Sequence, residues 1–81
     1  MQQNSTQINA VVWGQKNCKY CEMACKLLAS KGIYVDERKI DNVTWTMDDL
    51  QKAVPGARTV PQIFIDGVYV GNYNDLVGYL K

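Results

Sequence analysis

The stretch Asn9-Ala10-Val11-Val12-Trp13-Gly14-Gln15-Lys16-Asn17-Cys18-Lys19-Tyr20-Cys21 decides how this chain folds. Its first half is short, apolar and rich in β-branched residues, and Gly14 punctuates it, so residues 8–13 read as a buried central strand. Its second half opens a helical pattern over residues 19–31. There the apolar positions Tyr20, Cys21, Ala24, Cys25, Leu27 and Leu28 recur at helical spacing, with Glu22 early, Lys31 late and Gly32 just beyond. A C-x-x-C at a strand-to-helix junction sets its first sulfur at the helix N-terminus, where unpaired N–H groups and the helix dipole stabilise a thiolate. Cys18 is therefore the expected nucleophile. Cys21, one turn later, is the thiol placed to resolve a mixed disulfide formed there.

Outward from that stretch, residues 33–40 begin apolar and turn charged, as an edge strand parallel to the first would after a helical crossover. Thr46-Met47-Asp48-Asp49 has the form of a capping box, and the helix it starts must stop before Pro55-Gly56. Residues 62–65 and 68–70 flank Asp66-Gly67, a pairing suited to a type I′ hairpin. After Gly71, either Asn72 or Asn74 can cap a last helix with Leu76, Val77 and Leu80 on its apolar face. The order β-α-β-α-β-β-α predicts an α/β domain: a four-stranded mixed sheet flanked by three helices, the thioredoxin-like fold in its shortest form.

The 81 residues suffice for one domain, expected over residues 8–81 behind a loose polar tail at residues 1–7. Nine basic and eight acidic side chains leave a net charge of +1, which gives no electrostatic reason to bind nucleic acid or a membrane. Three cysteines without a histidine fall short of a four-ligand zinc site, and their odd number argues against a disulfide framework, so no metal centre is expected. Residues 1–7 lack the basic and apolar regions of a secretory signal, and no apolar run approaches membrane-spanning length. The expectation is a soluble, cytoplasmic monomer, a setting where C-x-x-C is more often catalytic than a permanent staple. Cys25 shares a helical face with Cys21 and reads as a core residue, and Trp13, Trp45 and Phe64 read as packing residues.

Cys18-Lys19-Tyr20-Cys21, Ala57-Arg58-Thr59-Val60-Pro61-Gln62-Ile63-Phe64-Ile65-Asp66-Gly67 and Gly71-Asn72-Tyr73-Asn74-Asp75-Leu76 together resemble the glutaredoxin family. The chain departs from that family's pattern at three places. Lys19 stands at the proline of C-P-Y-C, adding charge and freeing a backbone angle. Gln15 stands where a lysine is usual, with Lys16 one step later. Gly71-Asn72 replaces a Gly-Gly pair, and Asn74 a Ser or Asp.

The resemblance implies a glutathione-dependent thiol–disulfide oxidoreductase with glutathione as co-substrate and no permanently bound cofactor. Its substrates would be disulfide-containing or glutathionylated proteins, ribonucleotide reductase among them. It further implies a substrate groove formed by Lys16, Tyr20, Arg58, Thr59, Val60, Pro61, Gln62, Gly71, Asn72, Tyr73, Asn74 and Asp75. Within it, a cis Val60-Pro61 bond would turn the Val60 backbone outward to pair with a peptide like an added strand. Lys16, Lys19 and Arg58 would form a cationic rim for one glutathione carboxylate. The N–H groups of Tyr73 and Asn74 would take the γ-glutamyl carboxylate while Asp75 binds its amine. Tyr20 keeps two readings, core packing or flanking the groove. Two rivals stand beside this function: a redoxin fed by thioredoxin reductase, and a module in which Cys18 and glutathione from two subunits hold an iron–sulfur cluster. The second cysteine and the absence of C-G-F-S weigh against the cluster.

Overall fold

The computed structural model describes residues 8–81, so the tail expected at residues 1–7 lies outside the described residues. The strands and helices run β1 (Asn9–Gly14), α1 (Lys19–Ser30), β2 (Tyr34–Lys39), α2 (Met47–Ala53), β3 (Gln62–Ile65), β4 (Val68–Gly71) and α3 (Tyr73–Tyr79). The sheet order is β2-β1-β3-β4, with β1 parallel to β2 and antiparallel to β3, and β3 antiparallel to β4. This is the predicted mixed sheet, with β1 central and β2 at one edge.

Alternation along β1 divides the interior in two, because successive strand side chains point to opposite faces. Ala10 and Val12, with Ile63 and Ile65 of β3, meet Ala24 and Leu28 of α1 and Leu76 of α3 in one apolar core. On the other face Trp13 packs with Leu50 of α2 and Ala57, and half-buried Val11, Trp45 and Phe64 surround them. Trp13 and Trp45 meet edge to face at 5.1 Å between centroids, and the Arg38 guanidinium lies 4.6 Å from the Trp45 ring centre. The tryptophans and Phe64 are thus packing residues, as read from the sequence.

Local chemistry sets the ends of the elements. Thr46 caps α2 through the N–H of Asp49, and the Asp49 carboxylate accepts the N–H of Thr46 in return at 2.9 Å. Asn72, not Asn74, caps α3, in a second reciprocal box with Asp75. Asp66 and Gly67 both adopt positive φ, 50° and 82°, as a type I′ hairpin between β3 and β4 requires. In the loop between β2 and α2, the Asp41 carboxylate accepts the N–H groups of Val43, Thr44 and Trp45. Those bonds hold it below the usual carboxylate range. β1 runs one residue past its predicted end and includes Gly14, whose position bears on the site.

Candidate active site

Cys18 occupies the N-cap of α1, and its Sγ accepts the N–H of Cys21 at 3.2 Å. The sulfur therefore sits where the helix leaves its first N–H groups free, the environment that favours a thiolate. Asn17, just before it, has φ 61°, a left-handed conformation that asparagine tolerates better than most residues. Cys18 is half-exposed whereas Cys21 is 1% exposed, and the two are joined as a disulfide with 5.3 Å between their Cα atoms. The outer sulfur is thus open to solvent and the inner one lies behind it. Gly14, at the end of β1, makes room for the inner sulfur: a Cβ there would lie 3.0 Å from Cys21 Sγ.

The loop before β3 meets the start of α3 beside the cysteines. The Val60–Pro61 bond is cis, as the family resemblance implies. Thr59, Val60 and Pro61 face Asn72, Tyr73 and Asn74 across a groove of about 230 Å³, and Tyr20 closes one side. Tyr20 is 58% exposed and its ring lies 5.7 Å from that of Tyr73, so it flanks the groove and the core reading is overturned. A second hollow, about 390 Å³, adjoins it across Thr59 and Val60 and brings Cys18 together with Arg58, Gln15, Asn17 and Met47.

The expected site residues thus converge, with exceptions. Lys16 is exposed and lines neither hollow. Gly71 is buried under α3 with φ 121°, and a Cβ there would lie 2.9 Å from Asp75 Cγ. The Asp75 carboxylate is engaged at the Asn72 N–H. Gln62 is 7% exposed and turned away from the groove, its Nε2 donating to the Thr59 carbonyl and its Oε1 accepting from the Tyr69 hydroxyl. Sequence reasoning missed Asn17, Met47 and Tyr69. An asparagine directly before the C-x-x-C was a legible signal for a left-handed turn, whereas Met47 reaches the site only through the tertiary placement of α2.

Cys25 stands apart. It packs half-buried against the α1 side of the core, and burial, reinforced by neighbouring Glu37, pushes its thiol up to about 11. At neutral pH it is almost wholly protonated, and its thiolate fraction climbs only as pH approaches that value. Iodoacetamide at pH 7 is expected to label Cys18 of the reduced protein well before Cys25, with Cys25 labelling accelerating toward pH 10. Peptide mass spectrometry reads the order, and comparable rates at pH 7 would refute it.

The glutaredoxin family model matches residues 10–70. Glutaredoxin 3 of Escherichia coli is 38% identical over 68 residues, spanning 84% of this chain and 81% of its own. Among solved structures, glutaredoxin 1 of Francisella tularensis, complexed with cacodylate, superposes with a TM-score of 0.74 at 25% identity, covering 90% of this chain and 92% of that one. The buckwheat glutaredoxin–glutathione complex superposes with a TM-score of 0.65 at 25% identity, covering 88% and 66%. With its paired cysteines at the head of α1, this chain belongs to the glutaredoxin family and is a thiol–disulfide oxidoreductase.

Proposed function

We propose that the protein uses glutathione to reduce glutathionylated proteins and protein disulfides. The observation that carries this reading is the groove between Thr59-Val60-Pro61 and Asn72-Tyr73-Asn74, which opens beside Cys18 on the scale of a small peptide. The likeness to a glutaredoxin solved with glutathione supports it.

The chemistry follows from the two sulfurs. The Cys18 thiolate attacks the glutathionyl sulfur of a mixed disulfide, forming Cys18–S–S–glutathione, and the substrate thiolate leaves and takes up a proton. A second glutathione thiolate then attacks the glutathione sulfur, giving oxidised glutathione and restoring the Cys18 thiolate. On a protein disulfide, Cys18 forms the mixed disulfide and Cys21 attacks the Cys18 sulfur. This releases the reduced protein and leaves the Cys18–Cys21 disulfide, which two glutathiones reduce. In the groove, the Val60 backbone would pair with the extended tripeptide as an added strand would. The Tyr73 and Asn74 N–H groups precede the first intrahelical donor of α3, Leu76, and would take the γ-glutamyl carboxylate. Arg58 would meet the other carboxylate, with Lys16 and Lys19 as outer charges.

The test is NADPH consumption with glutathione, glutathione reductase and a glutathionylated peptide, run beside an assay that supplies thioredoxin reductase instead. Turnover only with the glutathione couple is expected. Turnover only with thioredoxin reductase would overturn the reading in favour of a redoxin fed by that enzyme.

A further inference from the structure

The Thr59-Val60-Pro61 segment is held from behind by a side-chain relay that the proposed chemistry does not touch. Gln62, opposite Trp13 on β3, is the buried polar side chain among the described residues. A buried amide is costly unless both its ends find partners. Here Nε2 donates to the Thr59 carbonyl at 2.9 Å and Oε1 accepts the Tyr69 hydroxyl at 2.6 Å. Tyr69 comes from β4 and its ring rests 5.4 Å from that of Phe64, so the hydroxyl is delivered by the hairpin. By donating to the amide oxygen, Tyr69 fixes which end of Gln62 faces Thr59: a flipped amide would set its oxygen against a carbonyl.

The consequence reaches the groove through one peptide unit. The Thr59–Val60 peptide is trans, so its C=O and N–H point in opposite directions. With the Thr59 oxygen drawn toward buried Gln62, the Val60 N–H is turned the other way, to the side where Thr59 and Val60 border both hollows. We propose that Tyr69 and Gln62 are positioning residues that hold the Val60 N–H aimed at the backbone of a glutathionyl substrate. This rests on the glutathione reading above. Neither residue touches the reacting sulfurs, so the relay acts on substrate binding rather than on thiol chemistry.

Tyr69→Phe removes the hydroxyl and keeps the ring. It is expected to raise KM for a glutathionylated peptide about fivefold, while kcat stays within about twofold and the pH profile of Cys18 alkylation does not move. Gln62→Glu keeps an acceptor for Tyr69 but offers Thr59 no donor, and is expected to raise KM about tenfold. Tyr34→Phe, on the exposed outer strand, serves as the unaffected control. In ¹⁵N-labelled protein the Val60 amide of Tyr69→Phe should shift and gain mobility, a readout that needs no activity. Unchanged KM in both variants, or a fall in kcat that merely follows a lowered melting temperature at constant KM, overturns the proposal. So does a Val60 amide indifferent to the Tyr69 hydroxyl. Absence of glutathione turnover in the unsubstituted protein is a separate failure, seen before any variant is made, and it overturns the reading beneath.

Discussion

Cys18→Ser is expected to reduce turnover to the no-enzyme background on every disulfide substrate, whereas Cys21→Ser should divide the activities. The asymmetry follows from where the two sulfurs sit. Cys18 is the half-exposed N-cap of α1, receiving the Cys21 N–H, and an incoming disulfide meets it first. Cys21 is buried behind it and can act only on a sulfur already bonded to Cys18. In the proposed cycle deglutathionylation would need Cys18 and free glutathione alone, so Cys21→Ser should retain it. Reduction of a protein disulfide should fall by at least about tenfold, because an intramolecular attack is replaced by a bimolecular one with glutathione. The coupled NADPH assay reads both rates, and mass spectrometry should trap a glutathione adduct on Cys18 of the Cys21→Ser protein. Full turnover by Cys18→Ser, or an adduct carried by Cys25, would sink the assignment.

The sequence made the cysteine pair at the head of α1 legible because its signal is local. A strand, a glycine, a C-x-x-C and a helical period lie within one continuous stretch, and each is dictated by backbone chemistry a few residues long. The same holds for the caps of α2 and α3, where the side chain that makes the bond lies within three residues of the group it satisfies, and for the Asp66-Gly67 hairpin, where two adjacent residues take up the positive φ of the turn. What could not be read is what the fold assembles from afar. Nothing in the order of residues says that Met47 would border the hollow of Cys18, or that Tyr69 would reach across the hairpin to Gln62. Tyr20 was undecided because an aromatic next to a buried cysteine fits either a core or a rim, and only Tyr73, brought in by α3, settles it as a rim residue. Gln62 sits in the motif that marks the groove yet faces inward, since strand alternation and its bond to Thr59 turn it toward the interior.

Removing a core side chain should expose how little stability the fold holds in reserve. Leu28 is fully buried on the face of α1 that also carries Cys21 and Ala24, and it meets the sheet through Ala10, Val12 and Ile63. Leu28→Ala is expected to cost about 2–5 kcal/mol, the lost transfer energy plus a cavity that close packing cannot refill. A domain of this length holds only about 4–12 kcal/mol in total, so the melting temperature of the reduced protein should fall by about 12–30 °C. The chemistry should not follow. Leu28 lies about two turns along α1 from Cys21, and the N-terminal turn that holds Cys18 is fixed by its own backbone bonds, among them Glu22 N–H to the Cys18 carbonyl at 3.2 Å. Turnover by Leu28→Ala at a temperature well below its melting point should stay within about twofold of the parent, with differential scanning calorimetry reporting the lost stability. A rate that collapsed while the protein remained folded would mean that the core side of α1 sets the geometry of the sulfurs. The helix N-terminus would then not be self-sufficient but would depend on the core beneath it.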